Sequence, residues 1–354
     1  MMAQRGRPLW TMALKSLLGG YRYRGPRTGH FDGERFGNQP GLRRIGFRDL
    51  WQLRRERRHM TPWSWEEIPA APTPVARVED DSVRITFINH ATFLIQFAGM
   101  NLLTDPVWSK RVSPLRWVGP RRFHAPGIPL DRLPPIDAVL LSHNHYDHCD
   151  FHTLRALLRR NPRMRLIAPL GHDVMAEELG FLRQESLDWW SSCRLKGRAI
   201  TLVPARHWGA RTLWDKCRTL WGGFVIETPQ GPLYFAGDTA YSDGFQRIRT
   251  RMGPMSLALL PVGAYQPHWC MEDVHLEPHE AVRAHHELGC QASMACHFGC
   301  FSLANDGQHE PQGVVESLRH HGHIDAQTLH LPTPGAPMIF RGGQLEPLAD
   351  ADRG

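Results

Sequence analysis

From residue 83 onward the chain is a succession of short apolar runs broken by turn residues. Residues 83–88, 92–97 and 100–103 read as strands, separated by turns at 89–91 and 98–99. Residues 138–142 (AVLLS) make an apolar strand. Residues 151–160 place Leu154, Leu157 and Leu158 at helical spacing. Further strands are expected at 166–168, 200–204, 223–227, 233–236, 258–261, 293–296 and 328–331, and further helices at 173–179 and 278–288. A run of strands followed by mixed elements predicts an α/β (α+β) chain with two sheets between helix layers. Periodicity leaves the topology open.

Before residue 83 the pattern fades. Residues 20–80 are rich in Gly, Pro and Arg, with a basic helix expected near 47–59 and a Pro-rich linker at 68–75. The division expected is a basic irregular arm over 1–60 and one domain over 61–354. Charge follows this division. The whole chain carries a formal +7, but residues 1–77 hold 15 Lys or Arg against 6 Asp or Glu, so the remainder is net negative. A basic arm suits anionic lipid or nucleic acid. Within it, Leu9, Trp10, Ala13, Leu14, Leu17 and Leu18 could share one face of a short interfacial helix, with Lys15 and nearby arginines meeting headgroups. Lys15 and the lack of a small-residue cleavage site argue against a signal peptide. No apolar run reaches the ~18 residues of a membrane span.

Seven cysteines with no C-x-x-C pair argue against a disulfide framework and for a reducing, cytoplasmic setting, at most peripheral to a membrane. Cys290, Cys296 and Cys300 fit no common zinc spacing and read as core residues.

The chemistry concentrates in Ser142-His143-Asn144-His145-Tyr146-Asp147-His148, an H-x-H-x-D-H motif between an apolar strand and a helix. In an extended segment residues i and i+2 share a side, so His143 and His145 can hold one ion together. As the chain turns into the helix, Asp147 and His148 can face a neighbouring ion. Imidazole and carboxylate are zinc-type ligands. Three later residues, His207, Asp238 and His297, each sit at or just past the end of an apolar strand, where strand ends on one rim can converge.

This set resembles the metallo-β-lactamase superfamily, whose fold is an αββα sandwich around a binuclear metal site. The resemblance implies that His143, His145 and His207 bind one zinc ion, that Asp147, His148 and His297 bind a second, and that Asp238 bridges them. The segments LLTDP (102–106), LSHNHYDH (141–148), RHW (206–208), FAGDTAY (235–241), PVGAY (261–265) and HFGCFSLAN (297–305) are similar to the N-acylphosphatidylethanolamine-hydrolysing phospholipase D branch and its bacterial relatives. The resemblance spans about residues 61–305, most of the chain. The resemblance implies a phosphodiesterase acting on such lipids through a hydroxide that bridges the two ions and is oriented by Asp238, with Asp147 also in the catalytic set. Six tryptophans, at 108, 117, 208, 214, 221 and 269, are candidates for receiving acyl chains. His275 also matches a histidine of the related lipid hydrolases that is not a ligand there, so it reads either as a loop residue or as a substrate-facing catalytic group.

Competing readings are an enzyme of the same fold acting on a lactone or cyclic phosphodiester, a metallo-nuclease gripping RNA with the arm, and a non-enzymatic membrane-surface zinc protein. The chain has no recognisable RNA-binding module. Closed structural zinc sites are usually Cys-rich, and this set has no thiolate. The partners expected are therefore a phospholipid or other small phosphodiester and an anionic membrane surface, with nucleic acid disfavoured and a homodimer left open.

Overall fold

A computed structural model describes residues 6–37, 46–115, 117–212 and 214–348. The N-terminal segment carries two helices, α1 (Leu9–Leu17) and α2 (Phe47–Arg57). The first sheet is then laid down by β1 (Val83–Asn89), β2 (Thr92–Phe97), β3 (Met100–Thr104) and β4 (Ala138–Leu140), then α3 (Phe151–Arg160), β5 (Arg165–Pro169), α4 (Asp173–Leu179) and β6 (Gln184–Leu187). The second sheet takes β7 (Ser192–Leu195), β8 (Arg198–Val203), β9 (Gly223–Thr228) and β10 (Gly231–Phe235), then α5 (Gly244–Met252), β11 (Leu257–Pro261), α6 (His268–Met271), α7 (Pro278–Leu288) and β12 (Ala292–Cys296). After α8 (Glu310–His320) the chain returns to the first sheet through the hairpin β13 (Pro337–Arg341) and β14 (Gln344–Pro347).

The strand orders are β14-β13-β1-β2-β3-β4-β5-β6 and β12-β11-β10-β9-β8-β7. Both sheets are mixed, as the αββα expectation requires. The first sheet is buried on both faces, which is why its strands read as continuous apolar runs. Residues of one parity (Phe87, Phe93, Ile95, Leu102, Leu140) join the core shared with the second sheet. Those of the other parity (Ile88, Leu94, Leu103, Val139) pack with Leu154, Leu157 and Met175 of α3 and α4. Phe245 of α5, Ala281 and Ala284 of α7 and Val315 of α8 cover the second sheet.

Several features depart from the sequence reading, which does not include β6, β7, α5, α6, α8, β13 or β14. Residues 328–331 form no strand but one parallel bridge, Met294 to His330, beside β12. Residues 6–37 are also more than a loose arm. Met12 and Tyr21 join the core under α3 and α4, and Phe31 and Phe36 join the intersheet core. The helix expected near 47–59 is present as α2. All seven cysteines are free thiols, and Cys296 and Cys300 are buried. Among the described residues no helix is long and apolar enough to cross a membrane.

Candidate metal centre

β3 runs parallel to β4, and β10, β11 and β12 run parallel to one another. Two antiparallel steps each bring β1 into the direction of β3, and β8 into that of β10. The carboxyl ends of six strands therefore gather on one rim. His90 follows β1, Asp105 follows β3, and the 143–148 loop follows β4. His207 follows β8, Asp238 follows β10, and His297 follows β12 directly. Two bonds tie the rims of the sheets together: Gly222 N–H to the Ser142 carbonyl (3.1 Å) and His297 N–H to the His90 carbonyl (2.7 Å).

The structure brings all seven predicted ligands to this rim, in two groups. His143, His145, His207 and Asp238 form one, and His90, Asp147, His148 and His297 the other; within each, the ligating atoms lie within 4.8 Å of one another. Asp238 Oδ2 stands between the groups, 3.7 Å from His207 Nε2 and 3.3 and 3.2 Å from the Nε2 atoms of His148 and His297. His275 is at the same place, with Nδ1 3.9 Å from Asp238 Oδ2 and its ring 5.3 Å from those of both His207 and His297. Of the six tryptophans, Trp208 stacks edge-on to His145 at 4.4 Å. Trp221 is core, Trp108 packs over the α3 side, Trp269 is half-buried on α6, and Trp117 and Trp214 are exposed.

A surrounding shell aims the ligands. His207 Nδ1 donates to the Val274 carbonyl (2.9 Å), His143 Nδ1 to Ser142 Oγ (2.9 Å) and His148 Nδ1 to Asp105 Oδ2 (2.7 Å). Each bond turns Nε2 inward, toward the other ligands. The sequence reading gave no role to two members of this shell. Asp105, fully buried, also accepts from the backbone N–H and hydroxyl of Ser142. His90, 1 % exposed, donates from Nε2 to Asp147 Oδ2 at 2.9 Å. His90, Asp105 and His297 all hold positive φ (47, 32 and 62°), a conformation that costs non-glycine residues energy and often marks functional sites. Gly237, at φ 61°, precedes Asp238, and a Cβ there would stand 2.6 Å from the Ser142 Cβ.

Electrostatics separate the histidines. Burial pushes His143 and His207 well below the usual imidazole range, and His145 and His275 to about 4. These rings are neutral, the form that ligates. His148 and His297 go the other way: against burial, Asp238, Asp147 and Asp105 hold His148 well above its ordinary value, and Asp238 and Asp147 hold His297 at about 9. Carboxylates crowded at one rim draw positive charge to it.

The residues fit bound cations. His148 Nε2, His297 Nε2, Asp238 Oδ1 and His275 Nδ1 are buried without a hydrogen bond, and His145 turns Nδ1 toward His143 and His207. So many orphaned polar atoms at one point are costly, and a cation is the group to which lone pairs of imidazole and carboxylate can all turn.

Residues 100–298 match the family model described as a beta-lactamase superfamily domain. An uncharacterised protein of Mycobacterium tuberculosis is 38% identical over 277 residues, covering 75% of this chain and 73% of that protein. The N-acyl-phosphatidylethanolamine-hydrolyzing phospholipase D 1 of Caenorhabditis elegans is 32% identical over 300 residues, covering 80% of this chain and 83% of that one. The solved metallo-beta-lactamase fold protein YhfI of Bacillus subtilis superposes with a TM-score of 0.52 at 16% identity, over 74% of this chain and 100% of that one, a likeness of fold.

Proposed function

Because this chain belongs to the beta-lactamase superfamily, and is a hydrolase of that fold, we propose that it is a two-zinc phosphodiesterase of the phospholipase D type acting on N-acylphosphatidylethanolamine-like lipids. The observation that carries the substrate class is the relationship, over most of both chains, to a protein named for that hydrolysis. The gathered His and Asp groups support the metal requirement. In this reading His143, His145 and His207 hold one ion, Asp147, His148 and His297 the other, and Asp238 serves both. Bound cations of this type acidify water and neutralise charge on a phosphoryl group.

The protein's own side chains set the geometry around that chemistry. Asp105 and the Val274 carbonyl fix the rings of His148 and His207 in the tautomer that ligates. His90 holds the Asp147 carboxylate from behind. Trp208 flanks His145 and offers apolar surface to a substrate. The test is turnover by zinc-loaded protein on N-acylphosphatidylethanolamine, phosphatidylcholine, a lactone panel and a cyclic nucleotide. Release of N-acylethanolamine with phosphatidic acid is expected. Activity confined to lactones or cyclic nucleotides would overturn the reading.

His275 is assigned to the substrate rather than to the metal. It sits against Asp238, and its Nδ1 has no hydrogen-bond partner. A neutral imidazole there can donate a hydrogen bond to a phosphate oxygen. His275→Ala should keep full metal content and lose about 10²-fold in kcat, while His275→Gln, which keeps a donor, recovers part of the loss. Normal kinetics in the alanine variant would reduce His275 to a packing residue. Loss of metal with activity would make it a ligand.

A further inference from the structure

Helix α1 has one side locked to the protein and one side bare. On the locked side Met12 is fully buried and accepts from Arg155 Nη2 at its sulfur (3.3 Å), while Ser16 Oγ accepts from Arg211 Nε (3.2 Å). Lys15, whose charge the sequence places among headgroups, is instead held by Glu178 at 2.6 Å. On the bare side Trp10, Leu14, Leu17 and Leu18 fall at i, i+4, i+7 and i+8, one helical stripe, and are 71, 52, 40 and 75% exposed. Leu9 and Ala13 are half-buried, so the open face is narrower than the sequence suggests. Trp214, 66% exposed, flanks the C-terminal end of α1, where Gly19 meets Asp215.

We propose that this face docks on an anionic lipid bilayer, with Trp10, Leu14, Leu17 and Leu18 entering the headgroup boundary and Trp214 beside them. Charge selects this occupant. The first 31 residues hold six Lys or Arg and no Asp or Glu, and Arg22, Arg24 and Arg27 are exposed just beyond the helix. An apolar stripe in a segment rich in arginine and free of acidic residues suits the interface of an anionic membrane. A second copy would bring two such basic segments together across a two-fold axis. A nucleic-acid backbone would meet the charge and leave the tryptophan and leucines in water.

The face also lies close to the chemistry. Arg211, which holds Ser16, donates from Nη1 to the carbonyls of Asn144 (3.0 Å) and Cys149 (2.9 Å), on either side of Asp147 and His148. Its guanidinium lies 3.9 Å over the Tyr146 ring. One side chain therefore separates the membrane-facing helix from the loop of the metal centre, so a docked protein holds that centre near the headgroup layer. The proposal rests on the lipid-hydrolase reading for the reason a membrane is needed there.

The experiment is sedimentation of the full chain with vesicles of phosphatidylcholine, with and without phosphatidylglycerol. Wild type should pellet with the phosphatidylglycerol vesicles, most strongly at low salt. Leu14→Glu combined with Leu17→Glu should lower the bound fraction roughly tenfold, with unchanged thermal midpoint and metal content because both side chains face solvent. Trp10→Ala is the milder second variant. Wild-type binding by both variants would overturn the proposal, as would a wild type that pellets with neither vesicle. Dissociation of a dimer in sedimentation velocity with vesicle binding unchanged would assign the face to a second copy instead. Pelleting needs no turnover, so vesicle binding without N-acylphosphatidylethanolamine hydrolysis keeps this surface and removes the substrate assignment. Hydrolysis without vesicle binding does the reverse.

Discussion

His148→Ala should lower turnover by at least about a hundredfold and cut bound metal from about two ions per chain to about one, in a protein that still folds. His148 is completely buried, and its Nε2 lies 3.3 Å from both Asp147 and Asp238 without a hydrogen bond to either. Removing the ring takes a ligand from the second group and leaves Asp105 without the N–H it accepts. The cores survive because the 143–148 loop lies outside the strands. Asp147→Asn should act in the same direction: the carboxylate is held ionised, against burial, by His148 and His297 beside it and by the bond from His90, and an amide cannot supply that charge. Elemental analysis after zinc loading, with circular dichroism as the folding control, checks both variants. Near wild-type turnover with two ions bound would remove the residue from the centre.

Much of this rim is legible in the sequence because its residues announce themselves locally. His143, His145, Asp147 and His148 fall within six positions after AVLLS, and few structural demands would place four such groups there. His207, Asp238 and His297 each break an apolar run at its end, which is where parallel strands deliver their residues. His90 and Asp105 also end apolar strands, yet each is a single polar residue in a turn. Their purpose exists only through partners 57 and 43 positions away, Asp147 and His148. No local pattern distinguishes such a residue from an ordinary turn.

The outer parts of the fold are harder to read. The hairpin of β13 and β14, absent from the sequence reading, turns at Gly342-Gly343 after the apolar run of β13; both glycines hold positive φ, at 57 and 80°, as a tight hairpin turn demands, but the short polar β14 offers no strand pattern of its own. The N-terminal segment gives no such turn signal. Its buried residues, Met12, Tyr21, Phe31 and Phe36, are spaced at neither 2 nor 3.6, because the chain there wraps over a finished surface rather than forming a layer. Tyr21 is fixed by its hydroxyl bond to Glu178 (2.8 Å), 157 positions away, a partnership set by tertiary packing.

Asp105 is where that illegible shell should show its effect. Its two oxygens accept from Ser142 N–H (2.7 Å), Ser142 Oγ–H (2.5 Å) and His148 Nδ1–H (2.7 Å). Asp105→Asn keeps the volume and turns one acceptor into a donor. With its carbonyl oxygen toward the Ser142 backbone, the amide NH2 faces the serine hydroxyl and the histidine N–H, donor against donor. His148 escapes by moving its proton to Nε2, the atom it owes the metal. Zinc affinity of the Asp147–His148–His297 group should fall about 10- to 100-fold, while the His143–His145–His207 group keeps its ion. The mismatched buried bonds should cost about 1–3 kcal/mol of stability in the metal-free protein. Competition with a chelating dye reads the first effect, and urea unfolding of the stripped protein the second. The two measurements separate the roles: lost stability with wild-type zinc affinity would make Asp105 a brace for the Ser142 turn alone, whereas weakened zinc binding places its action on the His148 ring.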